Sequence, residues 1–288
     1  MKYFEKVLLL IVLLIVLLAS PCVSQELLPK NVVLFGEKYA AILTQYVNDS
    51  GMVDYGNLKR DKSGIGDAAS ALSGIAKNEY NLLSENNKIA FLINTYNFLT
   101  IKVIIDNYPI KSSFTKSLIF PKNSIRQISG VWDDILFSVL GEMMSLNHIE
   151  HEILRVEFNE PGIHLALVCA AMGCPPLRNK PYDGEKLDAQ IADQARKFVS
   201  DRNKFTIDKQ KKTVHLSSIF KWYGGDFTKQ YGTETRFKSH DKDVRAVLNY
   251  LVPYVLPDDK TFLLNESYKI SYLDYDWTLN TQVQQPGR

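Results

Sequence analysis

The sequence predicts a single α+β domain that is rich in helices and has a small, largely antiparallel sheet. The 288 residues include 45% hydrophobic and 23% charged residues, so the chain can bury a full core. Helical and strand-like segments are interspersed without a regular alternation, which favours α+β over a doubly wound parallel sheet. No repeat or Pro/Gly-rich linker interrupts residues 25–277, so we expect one domain over residues 25–280 and a C-terminal tail over residues 281–288.

The N-terminal segment has the pattern of a secretory signal peptide. Two lysines flank its start, and the apolar run at residues 7–19 is shorter than the about 20 residues that span a bilayer. We expect residues 1–24 to be removed before Gln25, which predicts a secreted or periplasmic protein with no stable membrane insertion. A lipid anchor on Cys22 is the alternative.

The charge balance argues against a nucleic-acid partner. The chain has 34 Lys and Arg residues against 32 Asp and Glu residues, a formal charge of +2. Non-specific binding to nucleic acid needs a broad basic face, which this composition does not indicate.

The first half of the chain predicts three helices. Apolar residues recur at helical spacing over residues 33–47, and residues 68–75 predict a short second helix. The strongest signal covers residues 84–107, which Ser84 can cap and which is apolar over most of its circumference. Such a helix should lie in the middle of the fold, and Pro109 follows its end.

The second half mixes strands and helices. Residues 135–140 predict a strand that turns at Gly141 into a helix, with Ser145 as its cap and Arg155 near its end. Residues 163–168 are apolar apart from one histidine and predict a short buried strand. The remaining predictions are an amphipathic helix and a hairpin, at residues 187–199 and at residues 205–207 with 214–216.

Reactive side chains are concentrated in one part of the sequence. Two cysteines remain after the predicted cleavage, and three of the five histidines shortly precede them. This group consists of His148, His151, His164, Cys169 and Cys174. Any thiol chemistry in the chain is expected here.

A cysteine nucleophile needs a base or a helix N-terminus to form its thiolate. Cys174 precedes two prolines, so it could stand at a helix start, where unpaired N–H groups would lower its pKa. On a regular strand His164 and Cys169 would face opposite sides, so His164 should serve Cys174. The alternatives are a buried structural histidine and a disulfide between Cys169 and Cys174.

Two amides interrupt the apolar central helix. Asn94 and Asn97 must find specific partners, because an unpaired buried amide costs about 1–3 kcal/mol. In a structural role the partners would be backbone groups. In a functional role they would be a catalytic imidazole or a substrate oxyanion. His148 and His151 share a helix face, but the string His-Ile-Glu-His matches neither zinc motif, and the sequence predicts no metal site and no cofactor.

Taken together, the motifs resemble the family known as domain of unknown function 547 (DUF547). The matching strings are AFLINTYNFLT at 90–100, SLNHIEHEILR at 145–155, IHLALVC at 163–169, CPPLR at 174–178, IFKWY at 219–223 and YDWTLN at 275–280. The family's usual Trp and Asn are replaced by Leu92 and Val168. The resemblance implies that the recurrent polar residues are Asn94, Tyr96, Asn97, Glu150, His151, Arg155, His164, Cys169 and Cys174. Fusions of this family to glutaredoxin-like modules suggest thiol chemistry.

Three hypotheses for the function follow. The first is an exported thiol-dependent hydrolase or acyltransferase acting on a peptide, amide or thioester, with a papain- or transglutaminase-like fold and logic. Its roles are Cys174 or Cys169 as nucleophile, His164 or His151 as base, Glu150 orienting His151, and Asn94 or Asn97 at the oxyanion. The second is a non-enzymatic binding domain with a Cys169–Cys174 disulfide. The third is a thiol redox protein.

Overall fold

Helices dominate the architecture, and two small sheets complete it. A computed structural model of the chain describes residues 27–265 and 267–282. The predicted signal peptide and most of the predicted tail lie outside these residues. The α-helices are α1 Lys30–Tyr46, α2 Tyr55–Arg60, α3 Lys62–Ser73, α4 Lys77–Asn81, α5 Glu85–Asn107, α6 Arg155–Glu157, α7 Leu187–Ser200, α8 Ser218–Tyr223, α9 Thr228–Tyr231, α10 Lys242–Leu251 and α11 Pro257–Asn265. The predicted α+β class is confirmed.

The central helix is α5, as the sequence predicts. Ser84 stands directly before it, and the Asn87 amide donates a hydrogen bond to the Ser84 hydroxyl at 3.0 Å. By length and composition this helix could cross a bilayer, but 89% of its most apolar window is buried inside the protein. Such burial is typical of a core helix, because neighbouring elements rather than lipid cover its apolar sides.

Helix α1 packs against α5 through aromatic rings. The Phe35 ring meets the Phe98 ring edge-on at 5.6 Å between centroids and stacks on Tyr39 at 6.0 Å. Edge-to-face and offset pairs at such distances are favourable because the ring edge is positive and its face negative. These contacts begin a large core that extends over most of the N-terminal half.

The middle of the chain contains a hairpin of two strands, of which the sequence predicts only the first. The predicted strand is confirmed as β1, Phe137–Val139, but a second strand, β2 (Glu142–Met144), pairs antiparallel with it. Leu140 and Gly141 form the turn with φ of 54° and 81°, the left-handed values that a tight hairpin requires. A helix then follows over residues 146–157, and Ser145 Oγ accepts the backbone N–H of His148 at 3.1 Å.

The predicted strand at residues 163–168 is wrong. Residues Pro161–Leu165 form a 3₁₀ helix, which begins with a proline and with the Glu160 carboxylate accepting the Gly162 N–H at 2.8 Å. Both features favour a helical start. A short buried apolar run fits a strand or a helical turn equally well by its periodicity, and here the capping residues decide.

The second sheet has three strands and carries the C-terminal part of the structure. Strand β3 (Phe205–Asp208) pairs antiparallel with β4 (Thr213–Ser217), which confirms the predicted hairpin. Strand β5 (Lys269–Leu273) adds to the other edge of β4 in parallel. This sheet covers a second core together with α7 and α10, and Tyr275, just beyond β5, packs against both cores.

Candidate active site

A cavity of about 410 Å³ opens where the two cores meet. Its volume lies within the usual range for small-molecule sites, about 300–1,000 Å³. Thiols, imidazoles, two carboxylates, a guanidinium and several aromatic rings line it. These side chains include Tyr96, Arg126, Trp132, Glu150, His151, His164, Cys169, Cys174, Trp222, Tyr223, Tyr275 and Trp277.

Asn97 holds the backbone that leads to the cysteines. Its amide N–H donates to the Ala166 carbonyl at 3.0 Å, and its oxygen accepts the Val168 N–H at 2.8 Å. Because these backbone groups belong to no strand, the buried amide supplies the partners that a sheet would supply. Asn97 therefore positions Cys169 through the backbone that precedes it, and its own side chain does not line the cavity.

Asn94 makes the same kind of contact elsewhere. It donates to the Tyr182 carbonyl and accepts the Tyr182 N–H, both at 2.8 Å. This amide also lies outside the cavity. The structure thus gives both helix asparagines backbone partners, and neither amide lines the cavity.

The loop from Cys169 to Cys174 is fastened to the C-terminal segment. Met172 N–H donates to the Thr278 carbonyl and Gly173 N–H donates to the Asp276 carbonyl, both at 2.8 Å. A Cβ at Gly173 would lie 2.8 Å from the Tyr275 ring, so only glycine lets this ring approach. The prediction of Cys174 at a helix start is wrong, because Cys174 ends this turn and extended chain follows it.

The two sulfur atoms lie in contact at the wall of the cavity. Cys169 Sγ and Cys174 Sγ are 2.6 Å apart, and both cysteines are free thiols in the structure. The Tyr275 hydroxyl lies 3.0 Å from Cys174 Sγ and 3.3 Å from Cys169 Sγ. Cys174 also accepts the backbone N–H of Cys169 at 3.0 Å. The pair therefore shares one hydroxyl and one short S–H···S contact.

The surroundings make the two thiols unequal. Burial opposes ionisation of Cys174, but hydrogen bonds from the Cys169 thiol, the Tyr275 hydroxyl and backbone N–H groups outweigh it and lower the pKa of Cys174. The bond to Cys174, followed by burial, raises the pKa of Cys169 well above its ordinary value. Cys174 is thus the more readily ionised thiol of the pair, and Cys169 is the less readily ionised one.

The buried His164 side chain pairs with the half-buried Asp226. His164 Nε2 lies 2.7 Å from Asp226 Oδ2, and the imidazole stacks on the Tyr223 ring at 4.1 Å between centroids. Arg155 adds a two-point contact to the same carboxylate at 2.6 and 3.0 Å. Burial opposes ionisation of Asp226, but bonds from His164 and Arg155 hold its pKa well below the usual value.

Glu150 and His151 reach the cavity from a π-helical stretch, His148–Leu154. The buried Glu150 carboxylate lies beside the Tyr96 and Tyr223 hydroxyls, and burial together with the Glu150 charge raises the pKa of both tyrosines. His151 Nδ1 lies 2.9 Å from Arg155 Nη1. Since a guanidinium only donates, this nitrogen is the acceptor.

The comparison with known families bears on this region. Residues 80–199 match the family model described as "Protein of unknown function, DUF547". Over this segment, which is less than half of the chain, the sequence is similar to the DUF547 family. Neither the curated proteins nor the solved structures compared with the chain gave a match.

The DUF547 segment supplies both thiols, both imidazoles and the buried carboxylate. Of the predicted site residues, the structure brings together Glu150, His151, His164, Cys169 and Cys174 around the cavity. His148, by contrast, pairs with Glu152 at 3.2 Å outside the cavity. Within residues 27–265 and 267–282, no three His, Cys, Asp or Glu side chains converge as they would around a metal ion.

Residues beyond the DUF547 segment complete the cavity or support the side chains that line it: Tyr275 lines it, and Asp226 contacts the lining residue His164. Asp226 and Tyr275 are separated by 62 and 101 residues in sequence from His164 and Cys174, the partners that they contact. No local pattern marks either residue as functional. The aromatic strings at residues 219–223 and 275–277 were the only signal, and their rings form one wall of the cavity.

Proposed function

We propose that this chain is a thiol–disulfide oxidoreductase whose active pair is Cys174 and Cys169. The observation that carries the proposal is the contact of the two sulfur atoms, 2.6 Å apart, at the wall of a cavity that a small molecule could enter. Two thiols in contact can exchange a dithiol for a disulfide with little movement of the backbone. A buried structural pair would need no cavity.

The polarisation of the pair supports this function. Cys174 accepts hydrogen bonds from a hydroxyl, a thiol and backbone N–H groups, so its pKa is lowered and its thiolate forms more readily than that of Cys169. The thiolate is the nucleophile in disulfide exchange. Cys169 carries the proton until it is needed, and its side chain is the more exposed of the two.

The proposed reaction is balanced in atoms and electrons. The Cys174 thiolate attacks one sulfur of a substrate disulfide, a mixed disulfide forms, and one substrate thiolate leaves. Cys169 then gives its proton to that thiolate and attacks Cys174 Sγ, which expels the second substrate thiolate. The substrate gains two electrons, the protein becomes a Cys169–Cys174 disulfide, and an external dithiol restores it.

A second candidate is acyl transfer from an amide or thioester. The observation that favours it is the polar wall of Glu150, His151 and His164, which simple disulfide exchange does not require. Cys174 would attack the carbonyl carbon, and an imidazole would protonate the leaving group. Among the contacts of the described residues, none joins either imidazole to a sulfur, so this candidate ranks second.

Single-cysteine variants test the proposal. The purified protein is mixed with a small disulfide and a recycling dithiol, and thiol release is followed. We expect Cys174→Ser to abolish turnover. Cys169→Ser should slow turnover, because only the added dithiol can then resolve the mixed disulfide, and without dithiol it should accumulate a mixed disulfide that adds the mass of one substrate half. Cys22→Ser in the uncleaved chain is the matched control, since Cys22 is the third of the three cysteines.

The outcomes separate the candidates. Turnover of the disulfide by Cys169→Ser at the normal rate would rule out exchange through the pair. Hydrolysis of a thioester panel that needs Cys174 but not Cys169 would favour acyl transfer. A non-reduced protein that holds a Cys169–Cys174 bond resistant to excess dithiol would favour the non-enzymatic alternative.

A further inference from the structure

Arg126 stands at the cavity in a cage of aromatic rings. Its guanidinium carbon lies 4.5 Å from the Phe120 ring centroid, 5.1 Å from that of Trp277 and 5.3 Å from that of Trp132. Cation–π contacts of this kind fix a guanidinium in place while its N–H donors stay available. The cage therefore holds the charge in one position beside the cavity.

No carboxylate neutralises this charge. Among the described residues, no Asp or Glu oxygen forms an ion pair with Arg126, whereas Arg155 and Arg178 pair with Asp226 and Asp193. Asp133, an acidic residue of the cavity wall, instead accepts a hydrogen bond from Asn147. A half-buried guanidinium with open donors is suited to a carboxylate or a similar anion.

Contacts link the Arg126 cage to the thiols. The Trp277 ring that contacts Arg126 also contacts the Tyr275 ring at 4.6 Å between centroids. The Tyr275 hydroxyl in turn lies 3.0 Å from Cys174 Sγ. A molecule that spans one side of this aromatic wall would therefore touch the cation at one end and the sulfur at the other.

We propose that Arg126 is the anion-binding residue of the cavity, and that the substrate is a small disulfide or thiol bearing a carboxylate. This inference rests on the proposed disulfide exchange for the sulfur end of the substrate. The cavity of about 410 Å³ limits that substrate to the size of a small molecule or a short peptide. The tryptophan rings that line the cavity would contact the apolar part of this substrate.

Binding without chemistry tests the inference. The Cys169→Ser/Cys174→Ser double variant is titrated by calorimetry with dithiodiglycolate, which carries two carboxylates, and with its neutral diamide. We expect the dianion to bind more tightly. Adding Arg126→Gln should weaken binding of the dianion by about tenfold to a hundredfold and leave the diamide unchanged, as expected for a charge-assisted hydrogen bond.

Two further variants serve as controls. Arg126→Lys keeps the charge but loses the planar donors, so its effect should be intermediate. Arg202→Gln removes an exposed arginine outside the cavity wall and should change neither affinity. Thermal unfolding of each variant checks that it folds.

Three results would overturn the inference. They are equal affinity for the dianion and the diamide, an equal loss for both in Arg126→Gln, and no binding of either probe at millimolar concentration. Because the double variant lacks both thiols of the proposed active pair, these results are independent of turnover. If the protein exchanges disulfides but binds the dianion and the diamide equally, only the role of Arg126 is removed. If it prefers the dianion but does not exchange disulfides, only the proposed reaction is removed.

Discussion

The Tyr275 hydroxyl lies 3.0 Å from Cys174 Sγ, across 101 residues of sequence. It also reaches Cys169 Sγ at 3.3 Å, so one phenol contacts both thiols. Because its own pKa is raised well above the ordinary value by burial and then by the adjacent thiols, it stays protonated and can donate. The hydroxyl is thus a fixed donor for the thiolate.

Removing this hydroxyl should make Cys174 harder to ionise. We expect Tyr275→Phe to raise the pKa of Cys174 by about one unit, the equivalent of one hydrogen bond to a charged group. Alkylation of the thiol at neutral pH should slow accordingly, and the rate should recover at higher pH. The pH profile of alkylation measures both effects. Tyr272→Phe is the control, and an unchanged profile in Tyr275→Phe would contradict the assigned role.

Asp226 should make stability depend on pH. Its folded-state pKa is depressed, so it adds stability above the unfolded pKa of about 4, and that stability is lost as pH falls toward the folded value. We expect Asp226→Asn to lower the free energy of unfolding by about 2 kcal/mol at neutral pH. The difference between the two proteins should shrink in acid.

Urea unfolding at several pH values measures this difference. Asp106→Asn is the matched control, because Asp106 forms an exposed ion pair with Lys102 within one helix. Such pairs contribute about 0.3–0.5 kcal/mol. A deficit in Asp226→Asn that stays constant down to acid pH would contradict the linkage.

Variants of the two asparagines of α5 should both lose stability, but only one of them should change the reactivity of the thiols. Asn94→Ala and Asn97→Ala each remove a buried amide with two backbone bonds, so both should lose about 2–3 kcal/mol of unfolding free energy. Only Asn97 supports the backbone before Cys169, so only its loss should change the alkylation rate of the thiols. Equal alkylation rates in both variants would contradict this division.

Gly173 should tolerate no side chain. An added Cβ would press on the Tyr275 ring at 2.8 Å, so we expect Gly173→Ala to cost about 1–3 kcal/mol and to weaken the thiolate. Gly36→Ala is the control, because nothing lies within 4 Å of the added Cβ and alanine favours the helix. Thermal unfolding and the pH profile of alkylation measure the two variants. A fully stable Gly173→Ala with normal thiols would show that the ring can move away.

Sequence reasoning predicted the parts of the fold that local periodicity determines. The central helix α5 and the β3–β4 hairpin have long or well-flanked patterns, and both are confirmed. It failed at Pro161–Leu165, where the apolar run is short and capping residues set the conformation. Likewise, β2 is only three residues long, too short to show an alternating pattern.

The candidate site was predicted where its residues cluster in sequence. Glu150, His151, His164 and the two cysteines lie within 25 residues of one another and line one cavity. Asp226, Tyr275 and Arg126 come from distant segments, and each resembles an ordinary surface or core residue in its local sequence. Only tertiary packing identifies them, because their role depends on what they contact.

The contacts between the loop from Cys169 to Cys174 and residues 275–280 affect how the protein can be produced. A recombinant fragment limited to residues 80–199 would contain both thiols but not the phenol that polarises them. During synthesis on the ribosome, Cys169 and Cys174 also emerge well before Tyr275, the residue that carries this phenol. During that interval Cys174 lacks the hydroxyl donor that lowers its pKa in the folded protein.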